Sequence, residues 1–516
     1  MNSTRKKLLL FILVGCFAFA GCDGSGSQSN SPLSDANIRL IMSPNESTPL
    51  AGILEVKTDE PSRVSVKIST GNNTSEVNFD GFSTTHSLTV LGFRPGRQHT
   101  VEVSIFNNLG DLISSETFAV TTDPLPEDFP PFSVTSSPER IEPGVTLFEA
   151  GGFLIIVDET GEVVWYHRIA NPQNLDRDVR RIANGNLLLL LPPLKARELD
   201  MLGNIVRAWH PSRSTNGGQE SIGVDATAFH HEIVQMESGN FLVLSLEIRT
   251  FEDYPSSVED PDAPTGSAQV VGDVIVEFAP DGTVVNEWKL LDILDPYRLS
   301  YSSLIGIWDG FFQSNHGVSP PTRDWSHSNA VIHDTRDNSI IVSLRHQDAV
   351  IKFSRQTGAL IWILGTHDNW DPEVFGEFLL TPLTDDEFFF QYHQHAPKIT
   401  ADGNIILFDN GNNRASPFDP VFQANIFSRA VEYKIDESSK EVELVWEFSD
   451  FMSIFAGFLG DSDSLPVTGN VISTFGGTRP ARIIEVTHTE PPEIVFELTF
   501  PDVFIYRAER LESLYP

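Results

Sequence analysis

Cysteine is almost absent from these 516 residues, and both examples, Cys16 and Cys22, sit at one end. That placement excludes a disulfide framework, a cysteine metal centre and a catalytic thiol in the body of the chain. Positive charge is scarce too: 35 Lys and Arg face 71 Asp and Glu, a net charge of −36. So acidic a chain repels phosphate backbones, and nucleic acid is not an expected partner. If its ligand is an anion, a few local cations must work against the overall field. No Gly-Lys dipeptide occurs, hence no P-loop of the usual form, and no His-Glu-x-x-His spacing marks a zinc site. What the chain does have is 36 Phe, 36 Gly and 33 Pro within a 40% hydrophobic composition. This is the make-up of a turn-rich β protein with a large core, not of a disordered chain.

The apolar run from Leu8 to Ala20 follows Arg5, Lys6 and Lys7, the layout of a secretory signal. It is too short, and too soon followed by polar residues, to span a membrane. Phe19-Ala20-Gly21-Cys22 resembles a bacterial lipoprotein cleavage box, with Cys22 as the lipidated first residue of the mature chain. Leu13-Val14-Gly15-Cys16 also matches, but cleavage there would leave a short apolar core and a start of Phe-Ala-Phe-Ala. Residues 1–21 are therefore read as a signal peptide and residues 22–36, rich in Gly and Ser, as a flexible tether. An ordinary signal cleaved nearby is the alternative. The expected location is the bacterial cell envelope: exported, lipid-anchored, periplasmic or on the outer surface.

Residues 37–122 alternate apolar and polar positions in short runs such as Leu54-Glu-Val-Lys, Val64-Ser-Val-Lys-Ile and Val101-Glu-Val-Ser-Ile. Seven or so strands in roughly 85 residues predict a small β-sandwich of the fibronectin III-like kind. Residues 123–137, which contain Asp123-Pro-Leu-Pro-Glu-Asp-Phe-Pro-Pro, read as a Pro-rich linker. Over residues 138–516 a unit recurs. A Gly-Asn or Asp-Asn turn enters an apolar strand at Asn186, Asn240, Asn338, Asn404 and Asn470. A later strand carries an aromatic at Trp165, Trp209, Trp288, Trp362, Trp446 and Phe496. Six such aromatics imply six units of roughly 63 residues, and the prediction is an all-β chain with a six-bladed β-propeller.

Counting back from each turn Asn aligns the repeats. Nine residues before it lie Arg177, His231, Asn329, His395 and Asp461; eleven before it lie Leu175, Phe229, His327, His393 and Leu459. Histidines at equivalent places in three successive repeats would converge near the axis. Taken singly, each of them, including those of His230-His231-Glu232, reads at least as well as a satisfied core or strand-edge residue. Three imidazoles could also hold zinc, but no spacing or clear carboxylate partner supports a metal, and none is expected.

The same segments resemble the bacterial arylsulfate sulfotransferases (PAPS-independent aryl sulfotransferases). Three motifs carry it: His230-His231-Glu232-Ile233 with Ser238-Gly-Asn; Asp324-Trp325-Ser326-His327-Ser328-Asn329 with Ser343-Leu-Arg345-His346-Gln347; and Gln394-His395 with Phe408-Asp409-Asn410-Gly411. Weaker agreement runs through Ser428-Arg429-Ala430 and Tyr506-Arg-Ala-Glu-Arg510. The resemblance implies sulfuryl transfer from an aryl sulfate to a phenolic acceptor, without a cofactor, by ping-pong kinetics through a sulfohistidine. It implies His395 as the nucleophile, with His393 its in-sequence competitor, and His327, His231 and Arg345 as stabilising or proton-exchanging groups. Asn329, His230 and His393 would bind substrate. The partners implied are two small aryl molecules and, by the anchor, a membrane; a homodimer stays open. The chain departs from the family in having no cysteine near the repeats and in long insertions, Phe251 to Gly272 and Thr366 to Phe389, expected at the channel mouth. A noncatalytic ligand- or protein-binding propeller and a sulfatase-like hydrolase are the competing readings.

Overall fold

The computed structural model describes residues 37–516 apart from 170–177, 219, 385–387 and 451–453. The signal run, Cys16, Cys22 and the tether lie outside the described residues, as do Leu175 and Arg177. No helix among the described residues is long and apolar enough to cross a membrane. The chain is nearly all β.

In the N-terminal domain the period-2 pattern buries Leu54, Val56, Val64, Val66 and Ile68 on one face of a single strand, Gly52–Thr70. That strand pairs with Asn37–Met42 along its first part, with Gln98–Phe106 along its second and with Asn73–Val90 throughout. Hydrogen bonding thus joins five strands into one sheet, where seven or so short strands in a sandwich were expected. The difference is local. The runs beginning at Leu54 and Val64 continue through an irregularity between Lys57 and Ser62 instead of turning, so two expected strands are one. The buried face shares a core cluster with Phe148, Phe153, Ile483 and Phe496 of the body. Arg94 pairs with Asp158 at 2.6 Å and with Glu162, and Arg97 pairs with Glu162, so the domain is held by charge as well as by apolar area.

Among the described residues six further sheets of four or five strands follow, antiparallel apart from one parallel strand in each of three, and the first strands of the third to sixth lie against one another in turn, in the arrangement of a β-propeller. Two strands close the ring. Ala508–Leu511, from the chain end, is the innermost strand of the first sheet, beside Val145–Ala150. Ser133–Ser136 is the outermost strand of the last, beside Ile494–Phe500. The segment expected as a linker over residues 123–137 therefore ends as a strand, because its last residues supply a missing edge partner.

The recurring Asn has a structural cause. Asn186, Asn240, Asn404 and Asn470 each donate from Nδ2 to a buried Glu on the third strand of their own sheet: Glu198, Glu277, Glu432 and Glu485, at 2.6 to 2.8 Å. The preceding glycines, Gly185, Gly239, Gly403 and Gly469, have φ between 72 and 84°, a turn conformation that favours glycine. The insertion from Phe251 to Gly272 is mostly not a loop. It lengthens the hairpin of strands Phe241–Tyr254 and Gly266–Phe278 beyond its sheet. The second insertion holds the short helix Pro372–Phe375, capped by Asp371.

Candidate active site

The innermost strands of the third, fourth and fifth sheets begin at His230, Ser328 and His395. Each slips register near its start, between His230 and Ile233, Ser328 and Ala330, and His395 and Lys398. A bulge adds a residue and re-aims its side chain. Backbone strain does the same work: φ is 55° at His231, 44° at His327 and 54° at His393. A non-glycine residue in that region costs about 1–3 kcal/mol and persists where its surroundings enforce it. The result is a contiguous group of imidazoles. Ring centroids are 5.1 Å apart for His230 and His231, 4.7 Å for His231 and His327, 4.5 Å for His327 and His346, and 6.2 Å for His346 and His393.

What distinguishes these histidines is the partner of the ring nitrogen turned away from the cleft. The partner of His327 Nδ1 is a carboxylate oxygen of Asp324, at 2.5 Å. That of His395 Nδ1 is Asn410 Oδ1, at 2.6 Å, and that of His231 Nδ1 is His230 Nδ1, at 2.9 Å. The Asn410 amide is oriented without ambiguity, since its Nδ2 donates to the carbonyls of Ala456 and Leu459 at 2.6 and 2.7 Å. Its oxygen therefore faces His395, whose Nδ1 must carry the proton. Nε2 of His395 is left with a lone pair. A carboxylate partner stabilises an imidazolium, whereas a neutral amide orients the ring without making it more basic. His327 is thus backed by a carboxylate, and His395 by a neutral amide.

Arg345 stands in the turn Arg345–Gln347, after Ser339–Leu344. Its Nη2 donates to Gly457 O at 2.9 Å, its Nε has no partner, and no carboxylate among the described residues pairs with it. Burial lowers its guanidinium to about 10, so it keeps its charge at neutral pH. Asn329 donates from Nδ2 to Gln394 O at 2.7 Å and leaves a buried Oδ1 without a partner. His393 is held by Ser302 Oγ at 2.6 Å from Nε2 and by Asp348 at 2.9 Å from Nδ1. Its Nε2 is thereby occupied, while Nδ1, though close to the carboxylate, makes no hydrogen bond. His230 has both nitrogens engaged inside the protein. Sequence reasoning assigned no role to Asp324 or Asn410, although both lie in the quoted motifs. It also left out Trp308, whose ring is 5.2 Å from His230 and 6.3 Å from His327, and Arg507, which binds Glu232 at 2.6 Å and Asn329 O at 2.8 Å. Trp308 belongs to no repeat, so no register points to it.

Electrostatics correct one expectation. With a net charge of −36, an anionic ligand needs local cations, to which charged histidines would contribute. Burial, with the neighbouring positive groups, instead pushes His231, His346 and His395 well below the ordinary imidazole value, and His393 below it. The standing charge is that of Arg345, with Arg507 tied to Glu232. A pH dependence follows. These groups bind protons in the unfolded chain below about pH 6.5 but not in the folded one, so their contribution to stability is present above that pH and lost as pH falls. The acid limb of turnover, set by protonation of His395, should fall below the ordinary histidine range. A rate profile with its acid midpoint at or above 6.5 would contradict this.

Asp324, His327 and His346 are the one group among the described residues whose ligand atoms lie close enough to bracket a metal ion. His346 Nδ1 donates to the Asp324 carbonyl at 2.7 Å and His327 Nδ1 to its carboxylate, so these two nitrogens hold the Asp324 loop and offer no lone pair, and only the Nε2 atoms could ligate.

Residues 133–507 match the family model for arylsulfotransferase (ASST), and residues 40–123 that for the arylsulfotransferase Ig-like domain. Arylsulfate sulfotransferase AssT of Escherichia coli O6:H1 (strain CFT073) is 28% identical over 352 residues, 59% of this chain and 54% of that protein. AssT of Lelliottia amnigena is 30% identical over 213 residues, 34% of this chain and 35% of that one. The chain spans about half the length, or less, of the curated relatives it matches. Among solved structures, a streptogramin B lyase is 11% identical with a TM-score of 0.34, over 75% of this chain and 86% of that one. With the family match extending over both the N-terminal domain and the ring of sheets, this chain belongs to the arylsulfotransferase (ASST) family.

Proposed function

We propose that this protein transfers a sulfuryl group from an aryl sulfate ester to a phenol, in two steps, through a sulfohistidine at His395. The observation that carries the reading is the pre-oriented Nε2 of His395, which feels the charges of Arg345 and His327, with His327 backed by a carboxylate and Arg345 without an acidic partner among the described residues. In the first step Nε2 attacks sulfur, the S–O(aryl) bond breaks and His327 protonates the departing phenolate. Arg345 draws charge from the peripheral oxygens of the group in flight. In the second step the acceptor oxygen attacks sulfur, the N–S bond breaks and its electron pair returns to Nε2. The acceptor's proton replaces the one His327 gave away. Exchange between two phenols is nearly thermoneutral, so no nucleotide donor is required. We further propose export and a lipid anchor on Cys22, which would hold the domain at a membrane surface.

The test is 4-nitrophenyl sulfate with and without phenol. Release of nitrophenolate that depends on phenol, with a mass gain of one sulfuryl group on His395 when phenol is withheld, is the expected result. Release indifferent to phenol would mean that water is the acceptor. No release across several aryl donors would leave a binding protein.

A further inference from the structure

His230 was expected to touch substrate, and its surroundings give it a different task. Its Nε2 lies 3.1 Å from the Ser245 carbonyl and 3.2 Å from Asp273 Oδ1. Both can only accept, so Nε2 carries a proton, directed chiefly at the carbonyl with the carboxylate beside it. Burial would raise the Asp273 carboxyl. His230, the Ser326 hydroxyl at 2.5 Å and the Ser328 N–H at 2.6 Å instead hold it below its usual value, as an ion. Oδ1 of Asp273 has no hydrogen bond of its own, so an imidazolium at His230 is the charge that would satisfy it. The other nitrogen of His230, Nδ1, is 2.9 Å from His231 Nδ1. With His230 neutral, that nitrogen accepts, His231 Nδ1 donates, and Nε2 of His231 bears a lone pair.

We infer that Asp273 and His230 form a proton store behind His231, which takes the acceptor's proton and later returns it to His327. This rests on the transfer reaction proposed above and supplies its missing base. As the acceptor attacks, its O–H proton passes to His231 Nε2, and the Nδ1 proton of His231 passes to His230 Nδ1. The O–S bond forms, the N–S bond breaks with its pair on His395, and the positive charge rests on His230 beside Asp273. Reversal of the two shifts, with His327 as recipient, restores the acid spent in the first step, and no proton is gained or lost in a cycle. The arrangement answers a difficulty of the site. His231 faces His327, His395, Arg507 and the Tyr506 ring, with no carboxylate directly against it, and is a poor place to leave a charge. His230 faces His231, Asp273 and the indole of Trp308, with Asp324 beyond, and is a better one. His230 and Asp273 are positioning and relay residues; neither touches the reacting atoms.

The two half-reactions separate this role from a structural one. In Asp273→Asn the nitrophenolate burst of the first step should change by less than about threefold. Transfer from the His395 adduct to phenol should slow about 10²-fold, the size of a lost general-base contribution. The loss should shrink with acidic acceptors such as nitrophenols, which are already ionised. His230→Gln should behave alike, and melting curves of both report whether the fold is kept. Slowing shared equally by both steps, or independent of acceptor acidity, would overturn the relay. In the wild-type protein, imidazole ¹⁵N shifts should show Nε2 of His230 protonated and Nε2 of His231 bare; the reverse pattern would overturn it without any variant. Absence of a burst and of an adduct in the wild type would instead sink the transfer reaction itself.

Discussion

His395→Ala is expected to end sulfuryl transfer, lowering phenol-dependent turnover on the order of 10⁵-fold or more and leaving no protein-bound sulfuryl group. The size follows from covalent catalysis. Without a nucleophile the acceptor must attack the aryl sulfate directly, and nothing in the cleft replaces the intermediate that divides the barrier in two. Imidazole suits the task because it attacks while neutral, and the Asn410 contact keeps it so. An amide at 2.6 Å fixes which nitrogen is bare without adding charge, while burial holds the ring unprotonated. His393→Ala is the control. Its Nε2 is tied to Ser302, so its loss should act on packing and leave the adduct in place. The measurement is intact mass after exposure to donor alone, beside steady-state rates. An adduct that survives in His395→Ala and disappears in His393→Ala would reverse the assignment.

Asp324→Asn should be the next most damaging change, costing about 10²–10⁴ in rate with poor leaving groups. Asp324 is buried, and its carboxylate makes a 2.5 Å contact with His327 Nδ1. Burial raises the Asp324 carboxyl, and His327 is the partner that opposes this. An Asn would present its N–H₂ to Nδ1, leaving His327 neutral with the proton on Nε2, an acid far too weak to meet a departing phenolate. The loss should therefore depend on the donor: small for nitrophenyl sulfate, whose phenolate leaves unaided, and large for phenyl sulfate. Rates across donors of graded phenol acidity measure this, and a uniform drop would mean that Asp324 only holds the loop.

The repeat was legible because it is local. Turn chemistry at Gly185-Asn186 and its counterparts, and the late aromatic of each unit, are spaced along the chain and demand no knowledge of what lies across it. Even the alignment that singled out His231, His327 and His395 was a matter of counting. Where counting failed, backbone conformation had changed the register. His231 shares the left-handed φ of His327 and not the strand geometry of His395, since the bulge after His230 is longer. The N-terminal strands failed for a like reason: an irregularity, which period-2 patterning cannot distinguish from a turn, joined two runs into one.

By itself, then, the sequence determined that this is an all-β repeat protein, acidic and without cysteine chemistry in its body, with histidines gathered in three successive units. It also determined, through residue types alone, that any anion would have to be met by a handful of cations. Tertiary structure decided what each histidine is. The same side chain is set apart by the group behind it: Asp324 three residues away from His327, Asn410 fifteen from His395, Asp273 on another strand from His230. It also decided that Arg345, reaching the carbonyl of Gly457 at a separation of 112 residues, keeps its charge in the pocket, while burial lowers His231, His346, His393 and His395. The physical reason is that protonation and tautomer are set by desolvation and by acceptor geometry within about 3 Å, and those exist only once distant segments have been packed together.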